Sequence, residues 1–228
     1  MVDGTRASGT RGGSTNGRGG RARPGTGSAG RVEGAVDRGF LGTIDPMVIQ
    51  ADDGRVVWEM DSLAFLAADG SANVDDSLWR QSALTARHGL YEVTTGIYQV
   101  RGFDLSNLTI VEGATGIIVI DPLISAETAA AALALYRRHR GDRPVTGLIY
   151  THAHVDHFGG VLGVVEPDTA IPVVAPEHFL DNAVSENVYA GTAMFRRATT
   201  TTVIRWPAAP PAGWASGSAR APPPAPSG

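Results

Sequence analysis

Proline and glycine divide this chain of 228 residues into three parts, and only the middle part can bury a core. Residues 1–34 hold 11 glycines and 6 arginines but almost no large apolar side chain, which predicts a disordered arm. Residues 199–228 hold seven of the 14 prolines, and a proline-dense segment can form neither a helix nor a central strand. The foldable part is therefore about residues 35–198, an ordinary size for one domain.

Each terminal part has two interpretations. The arm is either an uninformative tail or an Arg/Gly-rich segment that binds nucleic acid. We favour the tail and predict no nucleic-acid partner, because no aromatic residue is interleaved with the arginines for base stacking. Residues 199–228 are either a genuine proline-rich linker or an aberrant Pro/Ala-rich product of a one-nucleotide frameshift. We favour the frameshift, because the shifted reading frame permits a glycine-rich run, Gly-x-Val-Gly-x-Gly-Leu-Gly-Lys, in place of the prolines, and because Trp206 and Trp214 have no obvious partner to pack against.

The composition excludes several classes of chemistry. The chain has no cysteine, which excludes disulfides, cysteine-ligated metals and a cysteine nucleophile. All 19 basic residues are arginine, so a Schiff-base lysine and a phosphate-loop lysine are also excluded. No run of about 18 apolar residues is present, and the first 30 residues lack the apolar region of a secretory signal. These features predict a cytoplasmic protein without a membrane span.

The middle part alternates between strand-like and helix-like patterns. Runs rich in β-branched, aromatic and other apolar residues predict strands at residues 96–100, 108–112, 117–120, 146–150 and 171–174. A turn at Gly113–Gly116 predicts that the second and third of these strands form a hairpin. Ser125 is the predicted N-cap of an alanine-rich helix that ends at Gly141, and a second helical stretch follows the fourth strand. The pattern predicts layers of helices and sheet.

The segment 150–160 places three of the six histidines and one carboxylate within six residues, directly after an apolar strand. His152 and His154 are two apart in an extended loop, so they point to the same side and can hold one metal ion. Asp156 and His157 begin the next helical turn and point to a neighbouring position. Nitrogen and carboxylate ligands suit zinc, which lowers the pKa of bound water to about 7. The alternative is a surface histidine patch or an adventitious metal site.

The pattern Thr-His-x-His-x-Asp-His-x-Gly-Gly resembles the metallo-β-lactamase superfamily, and longer stretches resemble its linear alkyl sulfatase family. These stretches are residues 78–81, 88–93, 96–107, 149–154 and 183–188. The resemblance implies an α/β (α+β) fold, the αββα sandwich of metallo-β-lactamases, of which this chain would hold the N-terminal part only. It also implies zinc-dependent hydrolysis of alkyl sulfate esters to an alcohol and sulfate. A thioesterase or lactonase on the same fold, or a non-catalytic fragment, are the alternatives.

The resemblance also implies roles for individual residues. His152 and His154 would bind a first zinc ion, and Asp156 and His157 a second, with Asp156 assigned to catalysis as well. Asp121, directly after a strand, would brace the ligand loop. In the family the remaining ligands, the sulfate-binding residues and the region that forms a homodimer lie downstream of this motif. We therefore expect the chain to be incomplete and inactive alone.

Overall fold

The computed structural model describes residues 34–68 and 74–201, so the predicted arm and tail lie largely outside the described residues. The strands are β1 (Phe40–Gly42), β2 (Val48–Gln50), β3 (Val56–Glu59), β4 (Gly89–Thr94), β5 (Ile97–Arg101), β6 (Leu108–Glu112), β7 (Ile117–Ile120), β8 (Val145–Ile149) and β9 (Val173–Val174). Seven of them form one mixed sheet in the order β1-β4-β5-β6-β7-β8-β9, and β2 and β3 form a separate antiparallel pair. The predicted combination of sheet and helices is confirmed.

The α-helices are α1 (Asp76–Thr85), α2 (Ala126–Arg140), α3 (Phe179–Val184) and α4 (Gly191–Thr201). Single 3₁₀ segments lie at Asp61–Ala67, Val155–His157 and Val161–Gly163, and a π-helical turn at Ser185–Tyr189. The helical stretch predicted between the fourth and fifth strands is wrong, because two short 3₁₀ turns take its place, one within and one just after residues 150–160, which we call the histidine loop. Glycine disfavours a helix interior, and three glycines fall in this stretch. Within the described ranges, no helix has the length and hydrophobicity needed to cross a bilayer.

Helix α2 begins and ends where its sequence predicts. The Ser125 hydroxyl accepts a hydrogen bond from the amide of Thr128 at 3.2 Å, which caps the first turn. At the other end Gly141 has a φ of 88° and donates its amide to the carbonyl of Arg137. Glycine takes this left-handed conformation without strain, so the helix ends there.

The core lies between α2, the β2–β3 pair and one face of the sheet. The strands β5 to β7 alternate buried residues with residues that are partly or fully exposed, as expected of a sheet with one covered face. Burial of apolar side chains is the main force that holds these layers together. The largest fully buried side chains of this core are Tyr98, Tyr136, Phe103, Met47, Leu90, Leu108, Ile110, Ile117, Leu123, Leu135 and Val100.

Strands β7 and β8 are parallel neighbours joined by α2, so their carboxyl ends meet at the same edge of the sheet. Ile120 pairs with Ile149 in this register. The residue after β7 is Asp121, whose amide donates to the carbonyl of Ile149 at 3.0 Å. Thr151 and the histidine loop follow β8. The topology therefore brings Asp121 next to the start of the loop, 30 residues later in the chain.

Candidate metal centre

The histidine loop lies directly against the segment that enters α2. The amide of Gly160 donates to the carbonyl of Leu123 at 2.9 Å. A Cβ atom at Gly160 would lie 2.1 Å from the carbonyl oxygen of Pro122, and one at Gly159 would lie 2.4 Å from that of Ile124. Both neighbours are backbone atoms that cannot swing away. The two glycines therefore permit the close approach that fixes the loop.

Asp121 connects the end of β7 to the loop through both of its carboxylate oxygens. Oδ1 accepts from the amide of Thr151 at 2.8 Å, and Oδ2 accepts from the hydroxyl of the same residue at 2.7 Å. Oδ2 also lies 2.8 Å from Nδ1 of His157. Asp121 is buried and has a φ of 53°, which is uncommon for a residue other than glycine. Backbone strain of this kind is concentrated at functional sites.

These contacts determine where the ring protons lie. An ionised carboxylate only accepts hydrogen bonds, so the Thr151 hydroxyl and Nδ1 of His157 are both donors to Asp121. A neutral His157 therefore has its lone pair on Nε2. The Thr151 oxygen, having donated its proton, accepts from Nδ1 of His152 at 2.9 Å. A neutral His152 then also has its lone pair on Nε2.

The free lone pairs face further ligand atoms at distances that suit a metal ion. Nε2 of His152 lies 3.1 Å from Nδ1 of His154, and Nε2 of His157 lies 3.4 Å from Oδ2 of Asp156. In a tetrahedral zinc site with bonds of about 2.0–2.1 Å, neighbouring ligand atoms are about 3.3 Å apart. Each pair therefore has the spacing and the ligand chemistry to hold one cation.

The four candidate ligands are brought together on one side of the loop. The ring centroids of His152 and His154 are 4.6 Å apart, and those of His152 and His157 are 4.0 Å apart. Across residues 34–68 and 74–201, no three His, Asp or Glu side chains are arranged to hold one ion. Each pair thus supplies two of the three protein ligands that a catalytic zinc ion takes.

Glu186 is a site residue that the sequence analysis missed. Its Oε1 lies 3.2 Å from Nε2 of His154, on the side of the ring opposite His152. A carboxylate at this nitrogen favours the tautomer of His154 that leaves Nδ1 free to face His152. Glu186 belongs to the π-helical turn, and such turns are frequent at functional sites. The one sequence signal for Glu186 was its position in the family-like stretch 183–188. Its distance along the chain from the histidines forms no recognisable metal-binding motif.

An aromatic cluster holds α3 and its following turn beside the loop. The rings of Tyr150 and Phe179 stack with centroids 5.3 Å apart, and Phe158 lies 5.2 Å from Phe179 and 6.1 Å from Tyr150. Aromatic contacts of this type stabilise by about 0.5–1.5 kcal/mol beyond the area they bury. Burial raises the pKa of Tyr150. The cluster therefore connects β8, the loop and the helix that leads to Glu186.

The fold and the histidine loop define a metallo-β-lactamase-type domain. Residues 101–197 match the family model described as the Metallo-beta-lactamase superfamily. Members of the superfamily use metal ions.

Within the superfamily the chain is similar to alkylsulfatases. It is 51% identical over 168 residues to a linear primary-alkylsulfatase from Pseudomonas sp., covering 71% of this chain and 25% of the relative. It is 48% identical over 165 residues to an alkyl/aryl-sulfatase from Saccharomyces cerevisiae, covering 70% and 26%. The structure of a stereoselective inverting sec-alkylsulfatase from Pseudomonas sp. superimposes with a TM-score of 0.70 at 44% identity, covering 73% of this chain and 27% of that one.

These comparisons confirm the resemblance to alkylsulfatases, which are sulfuric ester hydrolases, and the fold that it implied. The chain spans about a quarter of the length of the curated relatives it matches.

Proposed function

We propose that His152, His154, Asp156 and His157 hold two zinc ions and that the site serves the hydrolysis of alkyl sulfate esters to an alcohol and inorganic sulfate, with the 228-residue chain inactive alone. The metal assignment is supported by two pairs of facing ligand atoms, one in His152 and His154 at 3.1 Å and one in Asp156 and His157 at 3.4 Å. The similarity to alkylsulfatases supports the substrate class. When bound, zinc ions activate water at neutral pH and neutralise the charge that develops on substrate oxygens.

The residues of the chain prepare the site for this chemistry. Asp121 and Thr151 hold the Nδ1 protons of His157 and His152, so that both rings present an unprotonated nitrogen to the site. Asp156 faces His157 with one carboxylate oxygen, and its other oxygen can accept a hydrogen bond from the attacking water. We therefore keep Asp156 as both ligand and candidate catalytic residue.

We infer the domain boundaries, the kind of substrate and the oligomeric state from the same resemblance. Residues 35–198 would form part of the catalytic domain, with the arm 1–34 and the tail 199–228 outside it. The substrate would be a small alkyl sulfate, and a homodimer is expected for the full-length family member. A cytoplasmic location is the proposal that the sequence supports.

The metal assignment is tested by titrating the 228-residue chain with Zn²⁺ and Co²⁺ after removal of bound metal. We expect two ions per chain in the wild type and one fewer in His152→Ala. The matched control is His139→Ala, which removes an exposed histidine of α2 away from the loop. An unchanged stoichiometry in His152→Ala would contradict the assignment.

The activity is tested by measuring the sulfate released from dodecyl sulfate in the presence of Zn²⁺. Release that is lost in His152→Ala but kept in His139→Ala supports an alkyl sulfatase. Hydrolysis of a thioester or a lactone without release of sulfate would instead support a different hydrolase on the same fold. Tight zinc binding with no turnover of any of these substrates would show that the chain is a non-catalytic fragment.

A further inference from the structure

The turn between β5 and β6 contains a buried carboxylate that contacts no residue of the metal centre. Asp104 is 3% exposed. Its Oδ1 accepts from the amide of Ser106 at 2.9 Å, and its Oδ2 accepts from the amide of Ile124 and the hydroxyl of Thr128, each at 2.8 Å. Three donors from two segments therefore converge on one side chain. Asp104 fixes the β5–β6 turn to the entrance of α2.

Ser106 extends this hydrogen-bond network to the histidine loop. Its hydroxyl donates to the backbone carbonyl of Asp156, a residue 50 positions later in the chain. Ser106 is 7% exposed, so little water competes for this hydrogen bond. The carbonyl that it holds belongs to the peptide between Asp156 and His157. Rotation of this peptide would move the carboxylate and the imidazole that face each other at 3.4 Å.

We propose that Ser106, held in place by Asp104, is a positioning residue that sets the geometry of the Asp156–His157 pair for metal binding. Asp121 fixes His157 through its ring but makes no contact with the Asp156 side of the pair. Ser106 supplies this second constraint, through the backbone carbonyl of Asp156. The inference rests on the proposed role of Asp156 and His157 as ligands.

The test compares Ser106→Ala with Ser82→Ala in the 228-residue chain. Ser82 is a close match, because it is 5% exposed and its hydroxyl donates to a backbone carbonyl, that of Leu78, at 2.7 Å. Both variants are titrated with Co²⁺ and Zn²⁺. We expect one ion to bind about tenfold more weakly to Ser106→Ala, the size of effect seen when a partner that orients a ligand is lost. The visible spectrum of the corresponding Co²⁺ ion should also change, which a purely structural defect would not cause.

Asp104→Asn is the second variant. In either orientation its amide NH₂ would face the amide N–H of Ser106 or of Ile124, so at least one of these bonds is lost. We expect it to weaken the same ion as Ser106→Ala. Ser106→Ala and Ser82→Ala with the same affinities and spectra as the wild type would overturn the inference alone. A wild type that binds no Co²⁺ or Zn²⁺ would overturn both the inference and the proposed metal centre.

Discussion

Oδ2 of Asp121 lies 2.8 Å from Nδ1 of His157, and the two residues are 36 positions apart in the chain. The same carboxylate holds the amide and the hydroxyl of Thr151. One side chain directly after β7 thus orients Thr151 and the last candidate ligand. Asp121 can therefore be tested through both metal affinity and stability.

Asp121→Asn should weaken zinc binding by about 10–100-fold, because an amide cannot accept all three of these hydrogen bonds. It should also destabilise the fold by about 1–3 kcal/mol, the cost of an unsatisfied buried partner. Zinc titration and urea unfolding measure the two effects. Asp142→Asn is the control, since Asp142 is exposed and pairs with Arg137 at the surface. Equal zinc affinities in the two variants would contradict the role of Asp121.

Thr151→Val should change the tautomer of His152. Without the hydroxyl, Nδ1 of His152 loses the acceptor that lies 2.9 Å away, and its proton can move to Nε2. Long-range ¹H–¹⁵N NMR of the metal-free protein detects this change directly. Thr151→Ser keeps the hydroxyl and should retain the wild-type tautomer. If all three proteins show the same tautomer, Thr151 does not orient His152.

Gly160→Ala should destabilise the protein by about 1–3 kcal/mol, the usual cost of forcing extra atoms into a packed site. The added methyl would overlap the carbonyl oxygens of Pro122 and Ser125. Gly191→Ala is the control, because a Cβ there has no atom within 4 Å and alanine favours a helix. Urea unfolding compares the two, and an equally stable Gly160→Ala would show that the loop does not need the close approach.

Asp104 should give stability an unusual dependence on pH. Burial raises its pKa from 3.8 to about 6 in the folded protein. Between these two values the folded state binds more protons than the unfolded state, so this group makes stability fall as pH rises, and its effect is constant above about pH 6. The difference in unfolding free energy between wild type and Asp104→Asn should therefore shift in favour of the variant from pH 4 to pH 6. A difference that does not depend on pH would contradict the raised pKa.

Local signals in the sequence were enough for part of the fold. The hairpin β6–β7 and helix α2 are specified by a turn, a serine cap and a glycine stop that lie within or beside the element itself. Strand β4 was not predicted as a strand, because its first three residues are all buried and break the alternating pattern. This segment is a strand because it pairs with β1 and β5. Pairing between distant segments leaves little trace in one sequence.

The residues of the site also fall into those that the sequence identified and those that it did not. The four candidate ligands could be identified because they are adjacent in the chain, and their chemistry is evident from their spacing. Glu186 and Ser106 could not, because each reaches the loop only after the chain has folded. A glutamate on a helical turn and a serine in a loop are common on any protein surface. Only the three-dimensional structure distinguishes them from residues that face solvent.

The histidine loop follows the crossover unit formed by β7, α2 and β8. Asp121 contacts Thr151 and His157 across 30 and 36 positions of the chain. Parallel strand pairing and loop closure over such a separation cost chain entropy that local helix formation does not. The orientation of His152 and His157 therefore depends on the pairing of β7 with β8. A metal ion that binds only the oriented rings would favour this pairing and stabilise the folded state.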